Sequence, residues 1–83
     1  MRVLYFASVR ETIGVGEELL DVPPEVATVS ALVDWLARDS AAHAAAFTDR
    51  GRLRAAIDGR FVPLDADLGA PGEVALFPPV TGG

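Results

Sequence analysis

The sequence contains neither cysteine nor lysine, and it has a single histidine. Without cysteine there is no disulfide, no thiolate metal site and no persulfide on this chain. A small domain that needs no disulfide suits a reducing compartment, so a cytoplasmic protein is expected. One histidine, His43, with no second histidine and no cysteine, makes neither a metal site nor a nucleophile–base set, and it is expected on the surface. Long hydrophobic runs are missing too. No stretch nears the ~18 apolar residues of a membrane span, and the opening MRVLYFASVRE is too short for a secretory signal. Basic charge is scarce: seven arginines face twelve acidic residues, for a net charge of −5. That balance opposes nucleic-acid binding, which requires phosphate neutralisation, and suits a basic protein partner. The all-arginine basic set has two readings. With fourteen alanines in the chain it fits a compositional bias, and it also denies an activated C-terminal carboxyl any lysine amine on its own chain.

What is present is a compact set of elements. Eighty-three residues, 51% of them apolar, make one folded domain with no room for a second core. Residues 2–7, RVLYFA, read as a first strand rich in β-branched and aromatic types. The connection SVRETIGVG (8–16) has room for one helical turn. EELLDV (17–22) reads as a second strand, paired with the first as a hairpin and stopped by Pro23-Pro24. TVSALVDWLARDS (28–40) is the clearest helix: Thr28 is a good N-cap, and Val29, Leu32, Val33 and Leu36 form one apolar stripe. Asp34 and Arg38 are expected to pair across its exposed side, with Trp35 at the rim of the core. AAHAAAFTDRG (41–51) has the composition of a short second helix ending before Gly51. LRAAI (53–57) and RFV (60–62) flank Asp58-Gly59, whose residue types fit a type I′ hairpin. LDADLGAPGE (64–73) is a loop in which Pro71-Gly72 suits a type II turn. EVALF (73–77) is the last strand. One main helix over a mixed five-stranded sheet is an α+β domain, and a β-grasp arrangement with the last strand beside the first is expected over residues 1–77.

The ending, VALFPPVTGG, is the unusual part. In the last strand Val74 and Leu76 point to one face and Ala75 and Phe77 to the other; Val3/Tyr5 and Leu4/Phe6 alternate likewise in the first. A single helix covers one face, so Phe6, Phe61 and Phe77 are expected on an exposed apolar patch that docks a partner. Pro78 and Pro79 stop the ladder and favour an extended chain. From there Val80, Thr81, Gly82 and Gly83 narrow progressively over a tail that reaches at most roughly 20 Å. Such a shape threads a narrow channel and presents the Gly83 carboxylate inside another protein's active site. No Ser/His/Asp set, phosphate-binding loop or ligand cluster accompanies it, so the chain reads as a carrier with no metal and no stably bound cofactor.

Three stretches carry a resemblance: VLYFASVRE (3–11), TVSALVDWLA (28–37) and GEVALFPPVTGG (72–83). Over nearly its whole length the chain resembles the small subunits of molybdopterin synthases, ubiquitin-like sulfur carriers of molybdenum cofactor biosynthesis. The resemblance implies a β-grasp fold and two partners. One is a ubiquitin-activating-like adenylyltransferase that uses ATP to adenylate the terminal carboxylate before its conversion to a thiocarboxylate. The other is the synthase large subunit, where sulfur from the small subunit builds the molybdopterin dithiolene from cyclic pyranopterin monophosphate within a heterotetramer. By position Gly83 would bear the reactive group, Gly82 would give it clearance, and Phe6, Phe61 and Phe77 would match the contact surface. The chain departs from the family's usual residues at Asp58, where Asn is frequent, and at Ala70-Pro71-Gly72, both in turns. The competing readings are a sulfur carrier for thiamine or cysteine synthesis, a ubiquitin-like modifier of lysines, and a plain binding module.

Overall fold

The computed structural model describes residues 1–79. In chain order the elements are β1 (Arg2–Tyr5), α1 (Ala7–Ile13), β2 (Glu17–Leu19), α2 (Val29–Ala37), α3 (Ala41–Ala46), a 3-10 turn (Arg50–Arg52), β3 (Arg54–Ile57), β4 (Arg60–Val62) and β5 (Glu73–Phe77). The sheet order is β2-β1-β5-β3-β4. β1 and β5 are parallel, whereas the β1–β2, β3–β4 and β3–β5 pairs are antiparallel. This is the expected β-grasp architecture, with the last strand in the centre of the sheet beside the first.

Alternation along the central strands and a helical stripe build one core. Val3 and Tyr5 of β1 and Val74 and Leu76 of β5 meet Val29, Leu32, Val33 and Leu36 of α2, with Phe47, Leu53 and Leu68 closing the ends. Burying each such side chain contributes about 1.5–3 kcal/mol before the cost of ordering it. Thr28 caps α2, its Oγ1 accepting from the Ala31 N–H at 3.0 Å. The loop after β4 completes that helix start: the Val29 N–H donates to the Ala66 carbonyl at 3.0 Å and the Ser30 N–H to that of Leu64 at 2.7 Å. Amide donors without a helical partner are thereby satisfied. Among the described residues no helix is long and apolar enough to cross a membrane.

Several expectations are corrected. The connection after β1 holds a seven-residue helix, α1, where one turn was expected. Its N-cap is Phe6, which makes no side-chain cap, while Gly14 closes it at φ 97° with its N–H on the Arg10 carbonyl at 2.8 Å. The long helix ends at Ala37 rather than residue 40, because the Ser40 hydroxyl takes the His43 N–H at 3.1 Å and starts α3 as a separate helix. Asp34 pairs with Arg50 at 2.9 Å, a partner brought in by the tertiary fold, and not with Arg38 one turn along. His43 is buried, with 6% of its surface exposed, and not a surface residue. In the loop before β5 the left-handed residue is Gly69, at φ 62°. Gly72 does not take the positive φ that a type II turn would demand of it.

Candidate functional site

The open face of the sheet is built by the pairing register. Leu4 lies opposite Ala75, Ala75 opposite Ala56, and Ala56 opposite Phe61, so one row crosses four strands. Two alanines make a low floor in the middle of that row. Around the floor stand larger groups: Phe6 at one corner, Phe77 at the end of β5, Phe61 on edge strand β4, and then Pro78 and Pro79. Together they enclose an open concavity of about 690 Å³. The Phe61 and Phe77 rings lean together with centroids 5.6 Å apart and planes at 50°. Phe61 is 83% exposed and Phe6 48%, so large apolar side chains face water on a folded domain. Patches of this kind mark contact surfaces.

Local backbone geometry fixes two corners of the patch. β1 runs into α1 without a loop, and the bend is taken by Ala7 at φ 50°. A left-handed conformation costs an alanine about 1–2 kcal/mol, and it leaves Phe6 outside the strand while its N–H still reaches the Leu76 carbonyl at 3.2 Å. Phe6 therefore belongs to the helix cap and not to the strand in which it was expected. At the other corner Asp58 (φ 47°) and Gly59 (φ 84°) form the expected primed hairpin, which sets Phe61 opposite Ala56. The Asp58 carboxylate then reaches across to β5: its Oδ1 accepts from the Gly72 N–H at 3.0 Å and the Glu73 N–H at 2.9 Å. One side chain thus ties the β3–β4 turn to the start of the strand that leads to the C-terminal segment.

Charge stands at both ends of this face, with Arg54, the register partner of Phe77, at the near end and an arginine–glutamate group at the far end. Arg2 stands between Glu17 at 3.6 Å and Glu73 at 3.5 Å, all three partly exposed, so each pair adds little stability. The half nearest Pro78 carries the aromatic rings, with Arg54 beside Phe77 and Phe61. Of the residues singled out in the sequence, Phe6, Phe61, Phe77, Pro78 and Pro79 come together around one concavity. Val80, Thr81, Gly82 and Gly83 lie outside the described residues. Ala56 and Ala7 are additions that the sequence reading missed. The Asp58-Gly59 turn could have revealed Ala56, since a two-residue loop places 56 across from 61.

Comparison with known proteins places this geometry in context. Residues 3–83 match the model of the ThiS family. A protein of Escherichia coli named molybdopterin synthase sulfur carrier subunit is 43% identical over 83 residues, covering 100% of this chain and 99% of that one. One of the same name from Haemophilus influenzae is 37% identical over 83 residues, with the same coverage. Among solved structures, SAMP1 from Haloferax volcanii superposes with a TM-score of 0.71 at 30% identity, covering 100% of this chain and 98% of that one. A putative molybdopterin converting factor, subunit 1, from Pyrococcus furiosus gives 0.72 at 32% identity over 95% of both chains.

Proposed function

The chain belongs to the ThiS family, and from that premise we propose that it is the sulfur carrier subunit of a molybdopterin synthase. The observation that carries this reading is the apolar concavity of Phe6, Phe61 and Phe77, which runs directly into Pro78 and Pro79. A partner seated on that face lies beside the point at which the chain passes Pro79. Rings and prolines supply docking area, and the narrowing Val80-Thr81-Gly82-Gly83 sequence enters the partner.

The chemistry asks little of this chain beyond a reachable carboxylate. The Gly83 carboxylate attacks the α-phosphorus of ATP on an activating adenylyltransferase, giving an acyl adenylate and releasing pyrophosphate. Sulfide then adds to the acyl carbon, the bond to the phosphate oxygen breaks, and AMP leaves; a persulfide in its place would form an acyl disulfide, which a thiol reduces to the same product. The resulting thiocarboxylate is a better nucleophile than the carboxylate it replaces. Carried into the large subunit, its sulfur bonds to the pterin precursor of molybdopterin, and water cleaves the resulting thioester, leaving sulfur on the precursor and returning a carboxylate at Gly83. In this scheme the chain is the sulfur-donating half of a two-subunit sulfurtransferase and works in the cytoplasm. ATP is consumed by the activating enzyme and is not a resident cofactor here. Gly82 and Gly83 serve by having no side chain at the point of closest approach.

The test is the intact mass of the chain isolated from its own cells, with fragmentation of the last residues. Replacement of one oxygen by sulfur, localised to Gly83, is the expected result. Chains joined through Gly83 to lysines of other proteins would instead favour a protein modifier. An unaltered terminus, after exposure to ATP and the activating enzyme, would leave only a docking module. A thiocarboxylate that fails to yield molybdopterin with a large subunit would point to a carrier for thiamine or cysteine synthesis.

A further inference from the structure

The covered side of the sheet holds a polar cluster that takes no part in the docking face. Glu18 of β2 accepts a hydrogen bond from the Tyr5 hydroxyl of β1 at 2.8 Å and lies 2.6 Å from His43 Nε2 of α3. On the other side of that ring, Nδ1 is 2.7 Å from Ser40 Oγ and 3.7 Å from Asp39 Oδ2. Tyr5 also meets the His43 ring edge-on, with centroids 6.1 Å apart. Glu18, Asp39 and His43 are types that ligate metals, yet their geometry is already used. The two carboxylates face opposite nitrogens of the imidazole, and every buried side-chain nitrogen and oxygen among the described residues has a hydrogen-bond partner.

The donor assignments follow from the chemistry of the groups. An ionised carboxylate only accepts, so Nε2 carries the proton that points at Glu18. In the neutral ring Nδ1 then accepts from the Ser40 hydroxyl. In the charged ring Nδ1–H faces Ser40 Oγ and Asp39. The member that acid removes is Glu18. Protonated, Glu18 can no longer serve both incoming donors as an anion.

One carboxylate therefore joins β1, β2 and α3. α3 lies against α1, and the N-cap of α1 is Phe6, a corner of the open face. We propose that Glu18 is a positioning residue, an acid-labile latch that holds α3 on the sheet and, through α1, sets the place of Phe6. The groups facing it are Tyr5 from β1 and His43 from α3, with Asp39 behind the ring, while α1 turns the apolar Val9 inward. Burial by itself would raise the Glu18 pKa, but the hydrogen bonds from His43 and Tyr5 and the His43 charge outweigh it, and the net shift is down from 4.5. Tyr5 moves the opposite way, through burial first and the Glu18 hydrogen bond second, and so stays a donor. A carboxylate with a depressed folded pKa adds stability that is present above its unfolded value. The gain disappears as pH falls from about 4.5 through the lower folded value.

The experiment compares urea unfolding of the wild type and Glu18→Gln across pH. Carboxylates outside the cluster are common to both chains and cancel in the difference. The variant should be less stable at neutral pH, and the gap should narrow as the pH drops below 4.5. At neutral pH exchange should speed up by about tenfold more for the amides of α3 and α1 than for those of β3 and β4, which follow only the loss of global stability. A gap that holds constant with pH, or exchange that rises uniformly over the chain, overturns the proposal. Should Glu18→Gln fail to fold, Tyr5→Phe keeps the ring and removes one donor. Its gap from wild type must also narrow in acid, and a constant gap counts against the latch.

Discussion

The two faces of the sheet are made by the same strands and have opposite fates. Along β5, Val74 and Leu76 vanish beneath α2, while Ala75 and Phe77, alternating with them, remain partly open to water. β1 repeats the contrast, with Val3 and Tyr5 buried and Leu4 on the far side. A sheet covered by one layer of helices needs apolar side chains on one face only. Here the alternation is apolar on both. The covered face uses its apolar groups to fold, and the open face holds a surplus that folding does not require. That surplus is where a partner's contribution would be missing.

Substitutions on opposite faces should therefore separate stability from binding. The largest effect belongs to the covered face: Leu76→Ala should lower unfolding free energy by about 2–5 kcal/mol in urea titrations, because the site is closed on every side. A loss below about 1 kcal/mol would mean the core relaxes around the gap. Next comes the open face. Phe61→Ala should leave stability within about 0.5 kcal/mol yet weaken binding to a large synthase subunit by about 2 kcal/mol, roughly thirtyfold by calorimetry. Equal damage to folding and binding would erase the distinction between the faces. The smallest effect should lie at the edge of the covered layer. Thr28→Ala removes the cap of α2 and should cost about 1 kcal/mol of stability with binding untouched.

Much of the covered layer was legible because its signals are local. Thr28 and the i, i+3, i+4, i+7 stripe located α2 within a few residues, and Asp58-Gly59 located its hairpin. Alternation in the first and last strands gave the two faces. What escaped depends on contacts distant in sequence or on a helix without the usual start. α1 opens at Phe6 with no capping side chain, and only Gly14 at its end marked it. His43 is buried because Glu18, twenty-five positions away, meets its ring. Neither residue announces the other in sequence. Asp34 had an apparent partner at Arg38, but the fold brought Arg50 closer. The exposed rings were legible as surplus aromatics on alternating strands, and Ala75 with them; Ala56 was not, because an alanine carries no aromatic signal and only the hairpin register sets it opposite Phe61.

The position of β5 has a mechanical consequence. The segment that leads out of the domain leaves from the middle of the sheet, with β1 hydrogen-bonded along one side and β3 along the other. Tension applied at Pro78 runs along the strand axis, perpendicular to most of those bonds. It loads both ladders at once in shear, where an edge strand peeled sideways would open its bonds in succession like a zip. A pull on the chain beyond Pro78 would thus be borne by both ladders together, without unravelling the domain.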